Sequence, residues 1–349
     1  MESRKIFLLL FLYCVLYSVN CISQQQNNFT HFTVDDGLSQ SSVFSIAQDD
    51  LGFMWFATED GLNKFDGKKY TVYRPIDNDT TSLPDLGIRK VYRDKKNNIW
   101  ILSLRGKLSL YNPYKNNFTR FAFPQINEKS VKIISLTEDA NENLWAATTK
   151  GEFFIYDYQS KKFKTKNFSE KVKKIFQPLH LQCMLAATDG TFWIGTWEGL
   201  IHLNPKTLET IWYKNSSSNL QSLAGDMVFS LDEDGDGNIW AASANGGISV
   251  FIKSTKTFKV YKANSKNKNS VSSNRIMSIL IDSRNKIWIG SFDKGLDLYD
   301  PLTKTFTNFS HNPSITSSFS TGAVMSLYED KSGGVWIGTG GGGLIDLIH

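Results

Sequence analysis

The 349-residue chain is poor in the residues that usually carry chemistry. It has three cysteines. Cys14 and Cys21 lie in or beside the N-terminal apolar segment, so Cys183 stands alone in the body of the chain, which excludes a disulfide framework and a CxxC metal site. The five histidines, His31, His180, His202, His311 and His349, occupy unrelated places, with neither a paired-His spacing nor a nucleophile–His–acid set. No metal and no cofactor is expected. After the first 23 residues no apolar run approaches the roughly 20 residues of a membrane-crossing helix, and no stretch shows a convincing helical period. Charge of one sign is also lacking as a tract. The net charge is +5, but lysines are scattered through turns, which argues against a nucleic-acid partner.

What the chain does have is a ladder of tryptophans. Trp55, Trp100, Trp145, Trp193, Trp240, Trp288 and Trp336 follow one another at intervals of 45, 45, 48, 47, 48 and 48 residues. Each unit begins with an alternating apolar run such as Val43-Phe44-Ser45-Ile46. An aspartate sits six residues before the tryptophan in six units: Asp49, Asp94, Asp139, Asp234, Asp282 and Asp330. The fourth unit has Ala187 there, with Asp189 shifted towards the turn. A glycine follows the tryptophan by six or seven residues and opens a third run, as in Gly295-Leu296-Asp297-Leu298-Tyr299. A short aromatic run such as Phe306-Thr307-Asn308-Phe309 closes the unit. Four β-rich runs per unit of about 45 residues predict an all-β, seven-bladed β-propeller with four-stranded blades. Burying one tryptophan per blade removes roughly 150–250 Å² from water, worth about 4–6 kcal/mol, so core packing accounts for the ladder.

The last unit stops at His349 after its third run. Phe29-Thr30-His31-Phe32-Thr33 matches the missing aromatic run, so the last blade is expected to be closed by this N-terminal strand. Residues 1–23 read as a signal peptide, with Arg4 and Lys5 ahead of the apolar stretch Ile6 to Val19. Residues 24–349 then form the propeller, and a periplasmic location is expected; a lipoprotein at Cys21 or a retained N-terminal anchor is the alternative.

In a four-stranded meander, the loop between strands two and three shares a face with the connection from strand four to the next blade. These two classes of loop crowd one mouth of the channel, where ligands of such rings are expected. The candidate ligand-binding residues are Glu59, Asp60, Arg105, Trp197, Glu198, Asn245, Phe292, Asp293 and Lys294. The aromatics Trp197 and Phe292 can stack on a sugar face while the polar groups bond its hydroxyls. No catalytic set emerges. Asp232-Glu233-Asp234-Gly235-Asp236-Gly237 has the alternating carboxylates of a calcium loop, but Ser243 stands where a bidentate glutamate is needed, so a turn is expected. Gly338 to Gly343 lacks the Lys-Ser/Thr and following helix of a phosphate loop and reads as a hairpin turn.

The strings GFMWFATEDGLNKFDG, GTFWIGTWEGLIHLNP and NKIWIGSFDKGLDLYDP resemble the two-component regulator propeller repeat, and HFTVDDGLSQSSVFSIAQDDLGFMWFATEDGLNKFDG resembles the start of the periplasmic sensor region of Bacteroidetes-type hybrid two-component systems. The resemblance implies a sensor region of two such propellers and an immunoglobulin-like domain, followed by a membrane helix, a histidine kinase, a receiver and a DNA-binding module. It also implies glycan fragments as signals. This chain carries one propeller and no kinase motifs. The expectation is therefore a non-enzymatic, glycan-responsive sensing propeller truncated before any kinase, whose partners are an oligosaccharide or other small ligand and downstream sensor domains or a second copy. The alternatives are a stand-alone protein-interaction propeller and a periplasmic lyase or hydrolase.

Overall fold

The computed structural model describes residues 28–123, 131–310 and 322–348. The signal-like segment, Cys14, Cys21, His311 and His349 lie outside these residues. Twenty-eight strands, numbered in chain order, form seven four-stranded antiparallel sheets among the described residues. Blade one shows the pattern: β2 (Val43–Gln48), β3 (Met54–Thr58), β4 (Gly61–Phe65) and β5 (Tyr70–Tyr73), in that order across the sheet. In the seventh blade, β26 (Val324–Glu329), β27 (Val335–Thr339) and β28 (Leu344–Ile348) are joined by β1 (Asn28–Phe32), with Phe29 opposite Leu347 and Phe32 opposite Leu344. The N-terminal strand therefore closes the ring as expected. Phe32 stacks on Trp336 at 5.6 Å, so this closure buries apolar area as well as pairing an edge.

The tryptophan strands are buried at every position, and the seven tryptophans are at most 6% exposed. The preceding aspartate explains how an indole N–H tolerates that burial. One oxygen of Asp49 accepts the amides of Leu51 and Phe53 and so shapes the turn; the other accepts the Trp55 Nε1–H at 2.9 Å. The same indole–carboxylate bond, at 2.8–3.0 Å, recurs at Asp94, Asp139, Asp234, Asp282 and Asp330. Burial works to raise the carboxyls of Asp139 and Asp330, but the hydrogen-bond donors around them, including the Ser332 hydroxyl at Asp330, win and hold both below the usual carboxylate range.

One helix was not anticipated. Strand β13 (Lys162–Lys166) is followed by α1 (Glu170–Phe176), in the connection between blades three and four. Its seven residues bury only Val172 and Phe176, one i,i+4 pair, which is too short a stripe to register as a helical period. Phe176 packs so tightly over Gly151 that a Cβ there would lie 2.4 Å from its own Cβ.

The first strands of the blades line the central channel, a cavity of about 630 Å³. Every one of them is bulged against its partner, skipping one residue: Phe44, Arg89, Ile134, Gln182, Phe229, Met277 or Met325. A bulge re-aims a side chain, and all seven of these residues line the channel. In six of the blades the next residue along joins the neighbouring blade. Ser45 Oγ bonds the backbone of Val91, Ser135 that of Met184, Ser230 that of Ile279, Ser278 that of Val324 and Ser326 that of Val43. The Cys183 Sγ–H makes the corresponding, longer contact to the Val228 carbonyl.

Candidate functional site

The loops after the tryptophan strands and the connections into each blade do share one mouth of the ring. The backbone joins them: the amides of Leu104, Thr149, Trp197, Ala244, Phe292 and Gly340 donate to the carbonyls of Gly87, Lys132, His180, Met227, Arg275 and Ala323. The repeat glycine makes this close packing possible. At Gly61 (φ +103°) and Gly199 (φ +129°) a Cβ would approach the Tyr73 and Tyr213 carbonyl oxygens to 2.4 and 2.3 Å, so no larger residue fits without displacement of the outer strand.

On this face the nine candidate residues fall into local groups. In blade one, Asp60 forms a two-pronged pair with Arg74, at 3.0 Å to Nε and 2.8 Å to Nη2; the guanidinium holds the carboxyl below its ordinary value. Glu59 beside it is exposed, as is Arg105 in blade two. In blade four, Trp197 is 48% exposed and lies 5.6 Å from the His180 ring, and Glu198 accepts hydrogen bonds from the His180 amide at 2.9 Å and pairs with its Nδ1 at 2.7 Å. The Trp212 indole N–H donates to the Glu198 carbonyl and fixes the loop from beneath. In blade six, Phe292 is covered on one side by the Arg275 guanidinium at 4.2 Å; Asp293 accepts from Ser273 Oγ at 2.6 Å and faces Arg275 at 3.8 Å. Lys294 is exposed. Asn245 in blade five is committed to its own loop, accepting from Ser243 Oγ and the Met227 amide. No hydrogen bond joins one group to another among the described residues.

Three of the groups thus match an acid or aromatic from a tryptophan-strand loop with a basic side chain from the connection: Arg74, His180 and Arg275. Sequence reasoning passed over these three. The signal was available for two of them, because His180 and Arg275 immediately precede the first strands of their blades, where the backbone pairing delivers them to Trp197 and Phe292. Such a rim offers hydroxyl-bonding groups of both charges around two exposed aromatic faces, which suits a polar, hydroxylated ligand.

The acidic and glycine-rich runs are structural. Asp234 spends one oxygen on the amides of Asp236 and Asn238 and the other on Trp240. In the glycine run, the amides of Gly341 and Gly343 donate to the Ser41 carbonyl, joining blade seven to the entry into blade one. Among the described residues no helix is long and apolar enough to cross a membrane.

The two-component regulator propeller family matches residues 37–60, 270–293 and 318–341, which fall on the tryptophan repeats of blades one, six and seven. The chain carries two-component regulator propeller repeats. Among solved structures, it is similar to the extracellular domain of a protein assigned to a hybrid two component system of B. thetaiotaomicron, with a TM-score of 0.76 and 26% identity over 92% of this chain and 42% of that one. A second extracellular domain from the same organism, assigned to a one component system, superposes with a TM-score of 0.70 at 19% identity, again over 42% of its length. A streptogramin B lyase gives 0.68 at 14% identity over 92% of this chain and 98% of the lyase, a likeness of fold alone. A 73-residue stretch is 48% identical to Histidine kinase P4 of Formosa agariphila, covering 20% of this chain and 5% of the kinase. The chain therefore spans less than half the length of the two extracellular domains and a small part of the kinase.

Proposed function

We propose that this propeller is an extracytoplasmic ligand-sensing unit of a hybrid two-component signalling system, and that its ligand is a glycan fragment bound at the mouth described above. The signalling role is supported by the repeats and by the likeness to extracellular domains of such systems. The observation that carries the glycan reading is the half-exposed Trp197 ring, with the Glu198–His180 pair beside it. A flat indole face packs on the C–H face of a sugar, and a neighbouring carboxylate and imidazole bond its hydroxyls. Binding acts by shifting how the propeller packs on whatever adjoins it. The test is calorimetric titration of the purified chain with an oligosaccharide panel, repeated with Trp197→Ala. At least one oligosaccharide is expected to bind, with at least a tenfold loss on removing the indole, a size typical of a desolvated aromatic anchor. Binding that is unchanged in Trp197→Ala would remove the site, and the absence of any binder would remove the glycan reading.

A further inference from the structure

Blade two breaks the pattern of the channel. At the stitching position, where five blades have serine and one has cysteine, it has Lys90. No hydrogen bond links Lys90 to blade three among the described residues; its ammonium instead lies 5.7 Å from the Tyr92 ring centroid, within the channel wall. The residue before it, Arg89, is the bulged one, so two consecutive residues on β6 (Ile88–Arg93) turn their cations into the same cavity. Arg93 on the same strand lines it too, and its Nε is buried without a hydrogen-bond partner.

Among the described residues, no acid on the channel wall neutralises this charge. No aspartate or glutamate lines the cavity, and none of the three cations forms an ion pair among the described residues. Arg89 has one long hydrogen bond, 3.5 Å to the Gln182 amide oxygen. Four acids stand at the far ends of first strands, Glu138, Asp232, Glu233 and Glu329, and all are occupied. Asp232 accepts the amides of Ile281 and Glu233, and Glu138 accepts from the Lys95 amide and Tyr92 hydroxyl. Glu233 accepts from the Thr188 amide and hydroxyl, and Glu329 from the Ser283 amide and hydroxyl. Burial raises the carboxyls of Asp232, to about 6, and of Glu138. The rest of the bulge ring is apolar: Phe44, Ile134, Phe229, Met277 and Met325. Two cations side by side in such a wall repel each other and lose hydration, and burial depresses both Arg89 and Lys90 accordingly. A bound anion reverses both penalties.

We propose that the central channel is an oxyanion site, in which a carboxylate or sulfate group sits between Arg89 and Lys90, with the free amide N–H of Gln182 as a third donor. A planar guanidinium presents two parallel donors to such a group and an ammonium adds a compact charge. Arg89 is one residue inside Ile88, whose strand partner Ser103 ends the strand leading to Arg105, so the anion enters from the candidate ligand face. This inference does not rest on the glycan reading: a free inorganic anion and the acid group of a sugar present the same chemistry.

The experiment is calorimetric titration of the chain with sodium sulfate, sodium D-glucuronate and neutral D-glucose, at ionic strength held constant with chloride. Wild-type protein is expected to bind sulfate, glucuronate or both, and not glucose. Sulfate alone points to a free anion, and glucuronate to an acidic sugar. Lys90→Ser, which installs the serine found in five other blades, and Arg89→Gln should each weaken binding at least tenfold, and Lys90→Arg should largely retain it. Should Arg89→Gln not fold, Lys90→Ser and Lys90→Arg alone decide. No binding of either anion, or equal binding by wild type and Lys90→Ser, would overturn the site while leaving oligosaccharide binding at Trp197 untouched.

Discussion

Blade four and its six neighbours bury the same indole by different means. In the six, an aspartate six residues upstream takes the indole N–H and two turn amides, and at Asp94 also the Tyr158 hydroxyl of the next blade. In blade four Ala187 stands in that place, and no hydrogen bond to Trp193 Nε1 is present among the described residues. Asp189 serves only the turn, accepting from Thr191 and pairing with Lys253 of the next blade. Trp193 keeps the outer-strand stack that latched Trp55 and Trp240 also have, here Tyr213 at 5.9 Å, and adds His202 stacked at 4.4 Å; it borders a cavity of about 240 Å³ between blades four and five. Ring stacking thus accompanies the carboxylate latch in other blades, and in blade four it holds the indole without one. The latch satisfies a polar group and rigidifies the turn; the stack does neither and leaves space beside the ring.

The strongest way to break this comparison is to remove a latch. Asp94→Ala strands the Trp100 indole N–H, two amides and a tyrosine hydroxyl in a place that is 1% exposed. Stability to urea is expected to fall by about 3 kcal/mol, whereas Asp189→Ala in blade four costs under about 1 kcal/mol. Equal losses would show that the aspartate matters only as a turn former. A smaller effect, of opposite sign, comes from building a latch where none exists. Ala187→Asp should add about 1 kcal/mol by giving Trp193 Nε1 its acceptor, read as a rise in the urea midpoint; a fall would show that the stack holds Trp193 out of reach.

The smallest effect is acid sensitivity confined to blade four. Burial lowers the His202 pKa from its usual value, against a weaker opposing pull from Asp189 and Glu209. Because the unfolded chain then binds the proton more tightly, the neutral ring's contribution is fully present above about pH 6.5 and declines as the pH drops below it. Moving from pH 7.5 to 5.5 should lower the urea midpoint of wild type slightly more than that of His202→Gln. Identical shifts in the two proteins would mean that His202 is not charged by acid in the folded state.

Much of this architecture was legible in the chain because it is periodic. The tryptophan spacing sets the blade number, the stranded aromatic run Phe29 to Phe32 announces the closing strand, and the order of loops picks out the candidate face. Even the exception at Ala187 was visible, although its consequence was not: Asp49 and Trp55 are six apart in sequence, and only the folded turn brings carboxylate and indole together. The helix α1 escaped because one buried i,i+4 pair is too little signal. The candidate face was half legible. Trp197 and Phe292 stood out as aromatics outside the repeat, with Glu198 and Asp293 beside them, whereas Arg74 lies in a connection with no register to read, and His180 and Arg275 were marked only by their place just before the first strands of their blades.

Sequence alone therefore determined the number of blades, their strand order and the closure of the ring, because each follows from local pattern repeated seven times. Tertiary structure alone decided which side chains meet across blades. The Lys90 position faces the channel through a bulge that no alternation of residues betrays, and its lack of an acidic partner depends on six other strands. Contacts between units are not periodic in the chain, so they become visible only once the ring has brought the units together.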